Sequence, residues 1–346
     1  MRIAVVFHKD PFAAPTGIDL VRLRAITGGL IRNGFEAEIV APVETSGVIE
    51  DFIPVRPLEA LNDPGQYDLV KTCYHFSIKL IRGYSGPVVS RIVRVVDEQW
   101  PDRDRAFREE LLQCQELIAQ RARVVALNNP ENRERWRGRY GAETRVVLVP
   151  TGCPATIPEP GANPYPGPSK KILFLGSLAA DHMVKMINDA AVRLRNRAEI
   201  HLVGRNKASM YGSDQQNSTA SGIFDHGERP IDQIWDYIRN ADLGLALATG
   251  PHPFDNDVSK IFDYLRGGLP VLSEEPILNN GLIHKTGLGK TFKHNDIEDL
   301  VSKALELLEN PPLEKRGAAM RFMAQEHSWD RRVRTYVDLF RGMENE

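Results

Sequence analysis

Short apolar runs alternate along this chain with stretches in which apolar positions recur every three or four residues. In the first half, Ile3–Phe7, Ala37–Val40, Leu69–Thr72, Val88–Ser90, Val124–Leu127 and Val146–Val149 read as strands, with helices such as Leu20–Asn33 and Arg105–Arg121 between them. Buried strands separated by helices predict a parallel sheet with helices on both faces. From Pro150 to Pro168 the pattern stops, because prolines at 150, 154, 158, 160, 164, 166 and 168 exclude both helix and central strand. This stretch reads as an extended linker.

The alternation then restarts. Ile172–Leu175, Ile200–Val203, Leu243–Ala246 and Val271-Leu272 read as strands. Met183–Asn196, Ile231–Arg239, a helix from Lys260 and Asp296–Leu308 read as helices. His327-Ser328-Trp329-Asp330 opens a last amphipathic helix through Tyr336, Val337 and Phe340. The expected fold class is therefore α/β, with two Rossmann-like parallel-sheet domains facing across a cleft. The expected divisions are 1–150, a linker over 151–169, 170–326, and a terminal helix over 327–346. In open α/β sheets ligands bind outside the carboxyl ends of the strands, so residues just after strand ends are the candidates for chemistry.

A chain of 346 residues exceeds what one core usually organises, which agrees with two domains. Hydrophobic content of 42% and charged content of 26% are those of a soluble globular protein, and a net charge of -2 gives no reason to expect a nucleic acid. Cys73, Cys114 and Cys153 are isolated and lack metal-ligand spacing, so a reducing cytoplasm is the simplest expectation. The apolar start is too short for a signal peptide, and no run is long enough to span a bilayer.

The most informative segment is Asp255 to Val271. A polar loop leads into a helix with Ile261, Phe262 and Leu265 on one side and Lys260 and Asp263 away from them. Gly267, Gly268 and Pro270 end it before the next strand. Oriented N–H groups at a helix start suit phosphate oxygens, and Lys260 adds a full positive charge. Asp263, one turn on, supplies a carboxylate that can accept hydrogen bonds from a ribose diol. The same residues also fit a plain Ser259 N-cap and a solvated helix face.

Other strand ends carry weaker signals. Gly17 lets a loop pass close to a ligand, but the GxGxxG of a dinucleotide fold is missing. His75 follows the strand at Leu69, where it would bind a sugar hydroxyl, move a proton, or serve only the structure. Arg91 and Arg94 follow Val88 and would meet an acceptor or form surface ion pairs. Gly176-Ser177 and Gly204-Arg205 end two strands of the second half, where a hydroxyl and a cation could read phosphate, sugar or base.

These residues together resemble the two-Rossmann-domain (GT-B) glycosyltransferases, in particular the retaining group-one, family-four-like class. The likeness is carried by Phe174-Leu175-Gly176, by Val203-Gly204, and by Ser259-Lys260-Ile261-Phe262-Asp263-Tyr264-Leu265-Arg266-Gly267-Gly268-Leu269-Pro270-Val271. Val149-Pro150-Thr151-Gly152-Cys153 and the Ser328-Trp329 helix add to it. The resemblance implies transfer of a sugar from a UDP- or GDP-linked donor to a glycan or lipid-linked hydroxyl acceptor, with no cofactor and no metal. It places the family's paired acids on Asp255 and Asp263, with Asp263 at the ribose and Asp255 near the transferred sugar. It assigns Gly17, Gly176, Ser177, Arg205, Ser259 and Lys260 to the donor, His75 to the sugar, and His8, Arg91 and Arg94 to the acceptor side.

The chain departs from the family pattern in three ways. Both paired acids are aspartates, and the usual Gly-Phe-Gly run between them is missing. The positions at which many relatives carry arginine and lysine are Ser177 and His182 here. A non-catalytic nucleotide-sugar-binding subunit and a nucleotide-sugar epimerase are the alternative readings. Asp255-Asn256-Asp257 has the spacing of a Mg²⁺-binding pair but falls in the donor loop. Arg133, Arg135, Arg137 and Arg139 with Trp136 and Tyr140 allow weak peripheral contact with an anionic membrane. Glu131, Glu134 and Glu143 dilute that charge and favour a solvated face.

Overall fold

The computed structural model describes the chain apart from residues 14–16, 64, 99–104, 179, 206–221, 251–256 and 346. It separates into two compact units, Met1–Thr151 with Trp329–Glu346, and Gly152–Ser328.

The first unit runs β1 (Arg2–Val6), α1 (Ile18–Arg32), β2 (Glu36–Ala41), β3 (Gly47–Ile49), β4 (Ile53–Pro57), β5 (Leu69–Thr72), β6 (Val88–Ile92), α2 (Arg105–Arg121), β7 (Val124–Leu127), α3 (Pro130–Tyr140) and β8 (Arg145–Leu148). The sheet order is β3-β4-β2-β1-β5-β6-β7-β8. All pairings are parallel except β3 with β4. That hairpin was not legible in the sequence. Pro54 and Pro57 argue against a strand, and its turn is carried by Glu50 and Asp51 at positive φ (51° and 62°), without a turn glycine.

The last helix of the chain, α10 (Trp329–Glu344, numbered in chain order), belongs to this unit. Its buried stripe of Trp329, Val333, Tyr336, Val337 and Phe340 shares one core with Leu23, Ile26 and Leu30 of α1. The contact is close because residue 29 is glycine: a Cβ there would lie 2.3 Å from Val333 Cγ2. The opposite face of the sheet packs on Cys114 and Ile118 of α2 and Trp136 of α3.

The second unit comprises β9 (Lys170–Leu175), α4 (Asp181–Arg193), β10 (Ala198–Val203), β11 (Ile223–Asp225), α5 (Ile234–Asn240), β12 (Leu243–Ala246), α6 (Lys260–Arg266), β13 (Val271–Glu274), α7 (Asn280–Thr286), β14 (Gly289–Phe292), α8 (Ile297–Glu309) and α9 (Arg316–Glu326). Its sheet is wholly parallel in the order β11-β10-β9-β12-β13-β14. Counted from β9, this is the doubly wound order 3-2-1-4-5-6, whose direction reverses between β9 and β12. Alternate residues of β9 feed two cores. Leu173 and Leu175 pack towards α5 and α6, while Ile172 and Phe174 pack towards α4 and α8.

The proline-rich stretch forms no helix and lies along the second unit. Gly161 N–H donates to Asp236 Oδ1 (2.7 Å), Tyr165 OH donates to the Tyr237 carbonyl (2.8 Å), and Arg266 donates to the carbonyls of Pro154 and Ala155 (3.0 and 2.6 Å).

Helix α3 carries the arginines considered for membrane contact. Arg135 pairs with Asp97 (2.5 Å), Arg139 with Glu98 (2.7 Å) and Arg133 with Glu134 (3.0 Å), and Trp136 has no exposed surface. The exposed face of the helix is ion-paired, and its tryptophan is core. Among the described residues no helix is long and apolar enough to cross a membrane.

Candidate functional site

The reversal point of the second sheet is built first by glycines. Gly176 follows β9 at φ +96°, and its N–H donates to the Val203 carbonyl (2.8 Å). Gly204 follows β10 at φ +146°, and a Cβ there would lie 2.2 Å from the Gly176 oxygen. Only glycine satisfies both the backbone angle and the space. Leu178 N–H then donates to the Arg205 carbonyl (3.1 Å), so the loops leaving β9 and β10 are tied together.

Helix α6 is fixed to this floor by Tyr264. Its hydroxyl accepts the Leu175 N–H (2.8 Å) and donates to the Leu173 carbonyl (3.0 Å). The ring fits because residue 244, in β12, is glycine: a Cβ there would sit 2.6 Å from Tyr264 Cδ2. Asn279 holds the approach to the helix, accepting the Val258 N–H (2.9 Å) and donating back to the Val258 carbonyl (2.6 Å). The sequence displayed Tyr264, Gly244 and Asn279 but gave no sign of these roles. Each acts on a residue distant in the chain.

With α6 held so, Lys260 reaches over the end of β9. Its Nζ lies 4.2 Å from the centre of the Phe174 ring, and its Cε would be 3.6 Å from a Cβ built on Gly176. Burial pulls its ammonium down to about 8. Asp263, one turn on, is also part-buried, and burial pushes its carboxyl up to about 7. Lys260 and Asp263 do not pair with each other, and among the described residues neither has an ion-pair partner. An unpaired cation and an unpaired carboxylate, both partly desolvated, are costly unless a ligand completes them. Ser259 precedes the helix in helical conformation (φ -63°, ψ -32°) and its side chain makes no cap, so the plain N-cap reading of Ser259 does not hold.

The other expected residues fall differently. Asp255 lies outside the described residues. Ser177 follows Gly176 on the tied loop, whereas His182 turns towards Glu274 (3.6 Å). Arg205 is exposed and forks onto Glu228 Oε2 (3.0 and 2.8 Å), so its charge is already countered. Gly17 precedes α1 in ordinary extended conformation with nothing within 4 Å of a Cβ, so neither angle nor space requires glycine there.

In the first unit, His8, His75, Arg91 and Arg94 gather at the carboxyl ends of the adjacent strands β1, β5 and β6. His8 stacks on Tyr74 with ring centres 5.3 Å apart, and burial, reinforced by Lys9, lowers its pKa to about 4. His75 is fully buried, and burial lowers it to about 4 against the support of the Arg94 carbonyl. Its Nε2–H donates to that carbonyl (2.8 Å), which leaves Nδ1 as an acceptor with no partner among the described residues. Arg91 is 1% exposed. It donates through Nη1 to the Val149 carbonyl (2.8 Å), while Nε and Nη2 find no partner among the described residues.

No family model matches this sequence, and no curated protein matches it. Solved structures do match its fold. A sucrose-phosphate synthase of Thermosynechococcus elongatus superposes with a TM-score of 0.74 at 15% identity, covering 99% of each chain. Anabaena HepE in complex with UDP-glucose matches with 0.71 at 15% identity, over 99% of this chain and 100% of the other. WaaG, a glycosyltransferase involved in lipopolysaccharide biosynthesis, matches with 0.64 at 12% identity, over 96% and 98%. The chain has the α/β fold of these GT-B glycosyltransferases.

Proposed function

We propose that this protein is a glycosyltransferase that moves a sugar from a UDP-linked donor to a hydroxyl on a glycan or lipid-linked acceptor. The observation that carries the reading is the pair of part-buried charges, Lys260 and Asp263, unpaired among the described residues, at the reversal point of a doubly wound sheet. The UDP-glucose bound by the similar Anabaena protein supports a uridine nucleotide. The part played by WaaG in lipopolysaccharide synthesis supports a glycoconjugate acceptor. Three buried free thiols support a reducing cytoplasm as the place of work.

In this reading Asp263 accepts the ribose hydroxyls and Lys260 binds the diphosphate beside Gly176 and Ser177. The bond from the sugar C1 to the phosphate oxygen breaks with its electron pair staying on the diphosphate, where the Lys260 ammonium stabilises the growing charge. The acceptor oxygen forms the new bond on C1, and its proton passes to the departing phosphate oxygen, so the anomeric configuration is retained. No step uses a cofactor or a metal ion. Asp255 and His75 support the transferred sugar, and His8, Arg91 and Arg94 serve the acceptor.

Calorimetry with UDP and GDP, followed by a UDP-sugar panel read for nucleotide release, tests this. UDP binding with slow release from one sugar donor is expected. Failure of every nucleotide to bind sinks the reading. Tight binding without turnover would make the protein a binding subunit, and inversion at C2 of the sugar would make it an epimerase.

A further inference from the structure

At the carboxyl ends of β13 and β14, beside the first turn of α4, three side chains from separate elements converge. Glu274 ends β13 with no exposed surface. Its Oε2 accepts the Ala248 N–H (2.8 Å) and its Oε1 the Asn295 N–H (2.9 Å), the latter offered by a left-handed turn at Asn295 (φ 56°). His294, just after β14, brings Nδ1 to 2.8 Å from Oε1. His182, in the first turn of α4, brings Nε2 to 3.6 Å from Oε2, too long for a hydrogen bond, and that nitrogen has no other partner among the described residues. All three ligand atoms lie within 4.8 Å of one another.

An ion pair alone accounts for His294 but leaves the buried His182 nitrogen unsatisfied. A cation between the three groups satisfies every atom. We propose that His182, Glu274 and His294 bind one divalent transition-metal ion of the zinc class. Two imidazoles and one carboxylate are a donor set that zinc takes, and small rotamer changes would bring each to about 2.0–2.2 Å from the ion. The two backbone N–H groups on Glu274 fix the carboxylate as outer-shell partners do in metal sites. The histidine side chains are 22% and 32% exposed, which gives the ion an entry path and leaves a fourth position for water. The cluster shares no residue with Lys260 and Asp263, and the assignment does not depend on the transferase reading.

The full chain, stripped with a chelator and desalted, is titrated with Zn²⁺ by calorimetry and with Co²⁺ by visible absorption. It is compared with His182→Gln, His294→Gln and, as control, His284→Gln, an exposed histidine outside the cluster. Circular dichroism checks that each variant keeps the fold. One ion per chain is expected in the parent and in His284→Gln, with cobalt d–d bands. Affinity should fall by about tenfold or more in each cluster variant, since losing even an outer-shell partner costs about 10–100-fold. No saturable binding by the parent, or equal binding by both cluster variants, overturns the assignment.

Discussion

The Lys260 ammonium rests 4.2 Å from the centre of the Phe174 ring. The ring face stabilises the cation electrostatically without neutralising it, so the charge stays available for an anion. Replacing Lys260 with alanine removes one oriented cation from the leaving group. Turnover should fall by about two orders of magnitude, the loss seen for one transition-state donor. Nucleotide release from the preferred UDP-sugar measures it, and unchanged turnover removes Lys260 from the mechanism.

Asp263→Ala should act on binding instead of the bond-breaking step, because the ribose contact is the same in ground and transition states. UDP affinity measured by calorimetry should drop while kcat at saturating donor changes little. An equal loss in kcat would assign Asp263 to the chemistry.

The two shifted groups set a pH window. Lys260 is protonated below about 8, so UDP binding should weaken as pH rises past that point. Asp263 is ionised above about 7, so acceptance of the ribose diol should weaken as pH falls below it. UDP affinity should therefore peak between about 7 and 8, and calorimetry from pH 5.5 to about 9.5 reads both limbs. Asp263 also affects folding. Its folded pKa lies above the ordinary value of 3.8, so its contribution to stability is lost as pH rises from about 4 to about 7. Asp263→Asn should remove that part of the pH dependence, which urea unfolding across this range would show.

Gly204→Ala meets both a positive φ and the Gly176 oxygen. Strain and overpacking together should cost roughly 3 kcal/mol, read as a lower urea midpoint. A wild-type midpoint would mean that the two loops are not held together as described.

Gly29 and Val333 should be energetically coupled. Gly29→Ala forces α10 off α1 and should cost about 1–3 kcal/mol. Val333→Ala makes room for the new methyl group, so the double variant should lose less than the sum of the singles by about 1 kcal/mol or more. Strict additivity in chemical unfolding would show that the contact is absent.

The sequence by itself determined the class of fold and singled out the segment that carries the candidate site. Continuous apolar runs such as Ile172–Leu175 are buried on both faces, so their hydrophobicity alone marks a parallel strand. The helix from Lys260 to Arg266 was legible because its glycine and proline stops are local signals. What has no local signal was missed: the β3–β4 hairpin with its prolines, the short α7 and β14, and α9. Tertiary structure alone decided which side chains are completed by neighbours. Arg205 and Lys260 look alike in the sequence, yet one is met by Glu228 and the other, among the described residues, by no carboxylate. That difference depends on strand order, which brings distant positions together, as it does His182, Glu274 and His294. Pairing across a sheet is set by packing and register, and neither composition nor spacing along the chain encodes it.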